Sequence, residues 1–186
     1  MNSKISSEAP WLEESTAGLS ATEHSQGKAT AMVTLLEYGD YECPACVQIE
    51  PLIRYLIHTY SENLRFVFRH FPLVEVHPHA ELAAEAAEAA AAQGQFWPMH
   101  HVLFSNLHHL EMADLSRYAK SLGLDMNRFN GEMADRIYTQ RIQEHRQAAK
   151  HSLVSTTPTF FLNDAMVDIS LQSEKLDATI RAMLVY

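Results

Sequence analysis

The sequence predicts a single α/β domain, and three observations carry that prediction. A strand pattern, a helical pattern and a second strand pattern follow one another over about residues 32–71, a long block with helical spacing fills the middle, and two short strand patterns and an amphipathic helix close the chain. At 186 residues, 47% of them hydrophobic, the chain can bury one sizeable core, and no shift in composition calls for a second independent one.

Residues 1–30 are rich in Ser, Thr, Glu and Gly with little periodicity and read as a flexible or loosely docked extension, with Trp11 and Leu12 as the residues able to pin it to the body. The domain proper is expected over 31–186. Its first strand is "AMVTLLEYGD", about Met32 to Tyr38, apolar and β-branched with a Gly-Asp break. "CPACVQIEPLIRYLIHTYS" then places Cys46, Ile49, Leu52, Ile53 and Leu56 on one helical side, and "NLRFVFRHF" returns to alternation through Leu64, Phe66 and Phe68. Strand, helix and strand in that order read as a right-handed crossover between parallel strands, so the helix starts at the carboxyl end of the first strand.

A helical insertion is expected over about 78–152. "HAELAAEAAEAAAAQGQF" has high helix propensity, with Gly94 placed to stop it and with Leu82, Ala83, Ala86 and Ala90 as a small-residue stripe opposite the glutamates. "FWPMHHVLFSNL" tolerates Pro98 in a first helical turn, and "EMADLSRYAKSLGL" and the segment from Asp125 to Ser152 continue the pattern, with breaks expected at Gly123 and Gly131. "TPTFFLND" and "AMVDIS" read as paired strands and "LQSEKLDATIRAMLVY" as a closing helix.

Fourteen basic against 23 acidic residues give a net charge of −9, which repels phosphate backbones and anionic membrane surfaces. The opening residues lack the apolar run of a secretory signal, and no stretch approaches the roughly 18 apolar residues of a spanning helix. The chain is therefore expected to be soluble and cytoplasmic. There a disulfide between the only two cysteines, Cys43 and Cys46, would be transient rather than structural.

Cys43 falls at a helix start, where unsatisfied N–H groups and the positive end of the helix dipole stabilise a thiolate. Pro44 suits the first turn, and Cys46 returns to the same face one turn on, so an exposed sulfur can attack while a more buried one resolves. Six residues earlier Glu37 interrupts an apolar strand. It is either an edge residue reaching water or a buried carboxyl of raised pKa that takes a proton from Cys46.

These residues resemble the thioredoxin superfamily and, within it, the DsbA-like branch, whose mixed sheet with flanking helices carries a helical insertion. The resemblance rests on Cys43-Pro44-Ala45-Cys46 after a first strand, on Glu37 where members place a buried acid, and on Pro51 where they kink the active-site helix. It also rests on "STTPTFFLN", like the family's Thr-Pro-Thr-Phe segment with a cis proline facing the cysteines, and on "QGQFWPMHHVLF", like a helix start common in the insertion. It implies a thiol:disulfide oxidoreductase needing no cofactor, with Cys43, Cys46 and Glu37 catalytic and with Thr157, Pro158, Pro44 and Ala45 meeting the substrate. The partners implied are a protein or small-molecule disulfide and, as electron partner, glutathione or a thioredoxin-type protein.

Ala45 stands where strongly oxidising members carry histidine, and Asp40 and Glu42 add negative charge near Cys43. A Cys43 pKa near thioredoxin's roughly 7, rather than DsbA's roughly 3.5, is expected, which suits a reductase. Two other functions fit the same residues: a glutathione-using isomerase or transferase, and a non-catalytic binding module whose cysteines only clip the helix start. A zinc site drawing on the cysteines and on His70, His77, His79, His100, His101, His108 and His109 is disfavoured by spacing, which leaves those histidines as surface and interhelical polar groups.

Overall fold

The computed structural model describes residues 19, 22–163, 165–167 and 173–184. Its elements run β1 (His24–Gln26), β2 (Val33–Gly39), α1 (Pro44–Thr59), β3 (Leu64–His70), α2 (Ala80–Ala91), α3 (Phe96–Phe104), α4 (Met112–Ser121), α5 (Met126–Ala134), α6 (Thr139–His151), β4 (Thr159–Leu162), β5 (Ala165–Val167) and α7 (Ser173–Met183). Trp11 and Leu12 lie outside the described residues, as do residues 168–170 of the expected last strand.

The strands form one mixed sheet in the order β1-β3-β2-β4-β5. β2 and β3 pair in parallel across α1, as the crossover reading requires, while β1 on β3, β4 on β2 and β5 on β4 are antiparallel. Successive side chains of a strand point to opposite faces. On one face Val33, Leu35, Leu64, Phe66, Phe68, Phe160 and Leu162 pack with Ile53 and Leu56 of α1, with Leu176 and Ile180 of α7 and with the insertion helices. On the other, Leu36, Tyr38, Val67 and Phe161 pack with Ala149 of α6 and with Val154. Glu37, in phase with Val33 and Leu35, therefore points to the α1 face.

Three features differ from the sequence reading. The segment read as extension supplies β1, whose His24–Gln26 pairs with Phe66–Phe68 and is held by Glu23, which accepts from buried Arg69 at 2.7 Å. Three residues are too few to show a period of two. Next, two of the three glutamates of α2 do not face water: Glu85 and Glu88 are buried, because alanines allow neighbours to close in around them, while Glu81 stays partly exposed. Glu85 accepts from Arg136 Nε at 2.7 Å, and Glu88 Oε1 accepts from Arg141 Nε at 2.9 Å and meets Nε2 of His24 at 2.8 Å and of His70 at 3.0 Å. Finally, Gly131 lies inside α5, and the chain breaks at Arg136 instead, where φ is 52° and the guanidinium reaches Glu81 and Glu85 of α2. A tertiary ion-pair cluster, rather than the glycine, accompanies that turn.

Candidate active site

Cys43 is the N-cap of α1, with extended backbone at φ −86° and ψ 119°, and Pro44 opens the helix. The strand-to-helix turn that delivers it is built by Asp40. Its carbonyl accepts from the Cys43 N–H at 3.2 Å, and its carboxylate accepts from the backbone of Glu42 and Leu73, each at 2.8 Å, and meets His77 Nδ1 at 2.7 Å. Glu42 makes a parallel tie, accepting from the His79 N–H at 2.6 Å with His79 Nδ1 at 2.9 Å. The two carboxylates expected to repel a Cys43 thiolate are thus engaged with the 71–79 loop. Gly39 at the end of β2 is required by space, since a Cβ there would stand 2.4 Å from the Phe68 ring.

Both cysteines are free thiols, and both are enclosed, Cys43 at 6% exposure and Cys46 at 1%. Cys43 is less open than a helix start alone suggests, because the segment before β4 folds over it. The Cys43 thiol donates to the Thr157 carbonyl at 3.3 Å, and the Thr157–Pro158 peptide bond is cis. The Thr157 hydroxyl is buried and, among the described residues, has no hydrogen-bond partner. Pro44 and Ala45 are exposed and Pro158 half-buried, so these three form the accessible rim of the cysteine pair. Beside the rim a cleft of about 310 Å³ is lined by Glu42, Pro44, His77, His79, Leu107, His108, Leu110 and Glu111.

The surroundings drive the two thiols apart. A hydrogen bond from Cys46, helped by Thr157 and by the N–H groups of Ala45 and Cys46, outweighs burial and lowers the Cys43 pKa to about 5. Burial raises that of Cys46 well above the ordinary thiol value, as do its hydrogen bond to Cys43 and the charge of Glu37. A Cys43 pKa of about 5 is lower than the value near 7 expected from sequence: the hydrogen bond from Cys46 is the largest cause, Thr157 adds to it from a distant part of the chain, and neither Asp40 nor Glu42 is among the groups that shift it.

Glu37 is buried in the central strand between Phe68 of β3 and Phe160 of β4, which removes the edge alternative. Burial pushes its pKa well up, and the negative charges of Glu50 and Cys43 add to that. Pro51 stands inside α1, as expected. Glu50, which the sequence reading passed over, lies on the buried stripe of α1 one turn past Cys46. His101 Nδ1 lies 3.1 Å and His100 Nε2 3.8 Å from its oxygens, and despite burial these two imidazoles hold its pKa at about 2. Burial holds His100 down to about 4, and its Nδ1 meets the Tyr41 hydroxyl at 3.0 Å. Of the histidines read as surface or interhelical polar groups, His70 and His100 are buried, His100 between α1 and α3, and His145 is buried as well. A carboxylate three or four residues from a helical cysteine is the one signal that could have drawn attention to Glu50.

Comparison with known proteins agrees with this geometry. The oxidised form of BdbD from Bacillus subtilis is similar with a TM-score of 0.79 at 20% identity, over 88% of this chain and 94% of that one. A thioredoxin-like oxidoreductase from Silicibacter pomeroyi is similar at 0.78 and 24%, over 90% and 95%, and the thiol-disulfide exchange protein alpha-DsbA2 from Wolbachia pipientis at 0.76 and 22%, over 88% of each. Among curated relatives, the Na(+)/H(+) antiporter NhaA 3 of Salinispora tropica is 51% identical over 76% of this chain, and NhaA 1 of Salinispora arenicola 48% over 85%. The chain spans 22% and 24% of those two proteins, about a quarter of their length. The family model described as Thioredoxin matches residues 19–182, so the chain belongs to the thioredoxin family, in a fold of the DsbA-like kind with a helical block set between β3 and β4.

Proposed function

We propose that this chain is a thiol:disulfide oxidoreductase working through Cys43 and Cys46. One observation carries the reading: two free thiols share the first turn of α1, the outer at the N-cap and hydrogen-bonded to the Thr157 carbonyl, the inner buried, and these surroundings lower the pKa of the outer to about 5 and raise that of the inner. The Cys43 thiolate attacks one sulfur of a substrate disulfide, forming a mixed disulfide and releasing the other substrate sulfur as thiolate. Cys46 then gives up its proton and attacks Cys43 Sγ, which releases the second substrate thiolate and leaves a Cys43–Cys46 disulfide. Glu37, on the α1 face of β2 and of raised proton affinity, accepts the Cys46 proton. The electron pair passes between sulfurs, so the exchange needs no cofactor. The exposed rim of Pro44, Ala45 and Pro158 receives the substrate segment.

The direction of flow follows the thiolate. The reductase expectation depends on a Cys43 pKa near 7, and a pKa of about 5 removes that support. A more stabilised thiolate favours the dithiol form, and we read the pair as an exchanger poised between thioredoxin's roughly −270 mV and DsbA's roughly −120 mV. The similar proteins described as an oxidoreductase and a thiol-disulfide exchange protein support the reaction class. Among the described residues no helix is long and apolar enough to cross a membrane.

The deciding measurement is equilibration of the pair with reduced and oxidised glutathione, combined with turnover of a dithio substrate. A midpoint inside that window with catalytic turnover is expected. An inert disulfide without turnover would return the chain to the binding-module reading, and a midpoint at or below −270 mV would restore the reductase.

A further inference from the structure

We infer that Glu50, His100 and His101 form a site for one divalent cation of the zinc class, at the seam between α1 and α3. Glu50 belongs to the buried stripe of α1, and the two histidines are consecutive on α3. Consecutive helical residues diverge by about 100°, yet both imidazoles turn a nitrogen toward the same carboxylate. His101 Nδ1 lies 3.1 Å from Oε1 and His100 Nε2 3.8 Å from Oε2, and one ligand atom from each residue lies within 4.8 Å of the others. Around a tetrahedral ion with bonds of about 2.0–2.2 Å, neighbouring ligand atoms stand roughly 3.4 Å apart, and the two nitrogen–oxygen separations, each to a different oxygen of the carboxylate, fall on either side of that value. The longer of them exceeds a hydrogen bond.

The outer contacts suit a metal ligand. The Tyr41 hydroxyl, 3.0 Å from Nδ1 of His100, fixes that ring with Nε2 toward Glu50, as the partners of metal-bound imidazoles do. Phe68, Trp97 and Phe104 enclose the same ring at centroid distances of 4.7, 5.1 and 4.8 Å, so it is held in place before any ion arrives. Among the described residues no lysine or arginine pairs with Glu50, which leaves a carboxylate at 9% exposure without a permanent cation. Two imidazole nitrogens and one carboxylate match zinc and its neighbours rather than calcium or magnesium, which take oxygen sets. The second His and Glu cluster, His24, His70 and Glu88, is different, because Arg141 already occupies Glu88 and would repel an ion.

The test uses the full chain with Cys43→Ser and Cys46→Ser, so that thiolates cannot compete for metal. It is titrated with Zn²⁺ by calorimetry and with Co²⁺ by visible absorption. One equivalent is expected, with a nitrogen and oxygen cobalt spectrum. His101→Ala, at the solvent side of the site, should weaken affinity at least tenfold without altering the circular dichroism spectrum. Glu50→Gln should do the same, and His24→Ala should change nothing. Absence of stoichiometric binding overturns the site, as does binding that survives His101→Ala, which decides the question even if Glu50→Gln does not fold. Loss of binding in His24→Ala but not in His101→Ala would assign the ion to the other cluster and likewise overturn it.

Discussion

Thr157 meets Cys43 across 114 residues of sequence: its carbonyl accepts from the thiol at 3.3 Å, while its hydroxyl is buried and, among the described residues, has no hydrogen-bond partner. The carbonyl suits the protonated sulfur, and a hydroxyl donor beside it suits the thiolate, in line with the part Thr157 plays in lowering the Cys43 pKa. Hydrogen bonds to charged groups contribute about 1.5–3 kcal/mol, or roughly one to two pKa units. Thr157→Val, which keeps the shape and removes the hydroxyl, should therefore raise the Cys43 pKa from about 5 toward 6 or 7. Thiolate absorbance against pH measures this, and an unchanged midpoint would remove Thr157 from the account.

The same titration tests the loop ties. Glu42 accepts from the backbone N–H of His79 and lies 2.9 Å from its ring, so its charge is turned from the sulfur. Glu42→Gln should shift the Cys43 midpoint by less than about half a unit, far less than Thr157→Val. A large downward shift would mean that Glu42 acts directly on the thiolate.

Division of labour between the sulfurs follows from their opposite proton affinities. Cys43→Ser should abolish exchange, while Cys46→Ser should accumulate mixed disulfides with substrate, visible as mass adducts that reductant removes. Equal trapping by both variants would contradict the assignment.

Glu37 connects stability to chemistry. An acid whose pKa is raised in the folded state costs stability as pH rises above its unfolded value of about 4.3, because the folded chain then holds the proton more tightly. Glu37→Gln should accordingly raise the melting temperature more at pH 8 than at pH 5. As the proton acceptor it should also matter to resolution, which we expect Glu37→Gln to slow by roughly 10²-fold in single-turnover measurements. Stabilisation without slowing would leave Glu37 a buried relic with no role in the reaction.

Acid should weaken the fold through its buried imidazoles. Burial lowers the pKa of His70 and of His145 in the folded state, against the opposing pull of Glu88. The unfolded chain therefore binds protons first, and stability is full above about pH 6.5 and falls as pH drops below it, by at most about 1.4 kcal/mol per unit for each group. Denaturant melts at pH 7.5, 6 and 5 should show this fall. His145→Gln should reduce the slope, and a flat profile would contradict the burial of both rings.

Local patterns by themselves determined the order of β2, α1 and β3, the placement of Cys43 at a helix start and of Cys46 one turn inside it, and the helical character of the insertion. Periods of two and 3.6 are written along the chain, and a cap is adjacent to its helix, so neighbours suffice to read them. Likeness to a known family, rather than any period, brought Thr157 and Pro158 into view, whereas for Glu37 the strand pattern left an edge and a buried reading open and the likeness pointed to the buried one. Only the tertiary structure decided the rest: β1 on the edge of the sheet, Glu85 and Glu88 buried by Arg136 and Arg141, Asp40 and Glu42 tied to His77 and His79, and Glu50 under His100 and His101. Each of these joins polar groups far apart in sequence. Such pairs have no period, and whether a glutamate faces water or an arginine depends on which helix folds over it.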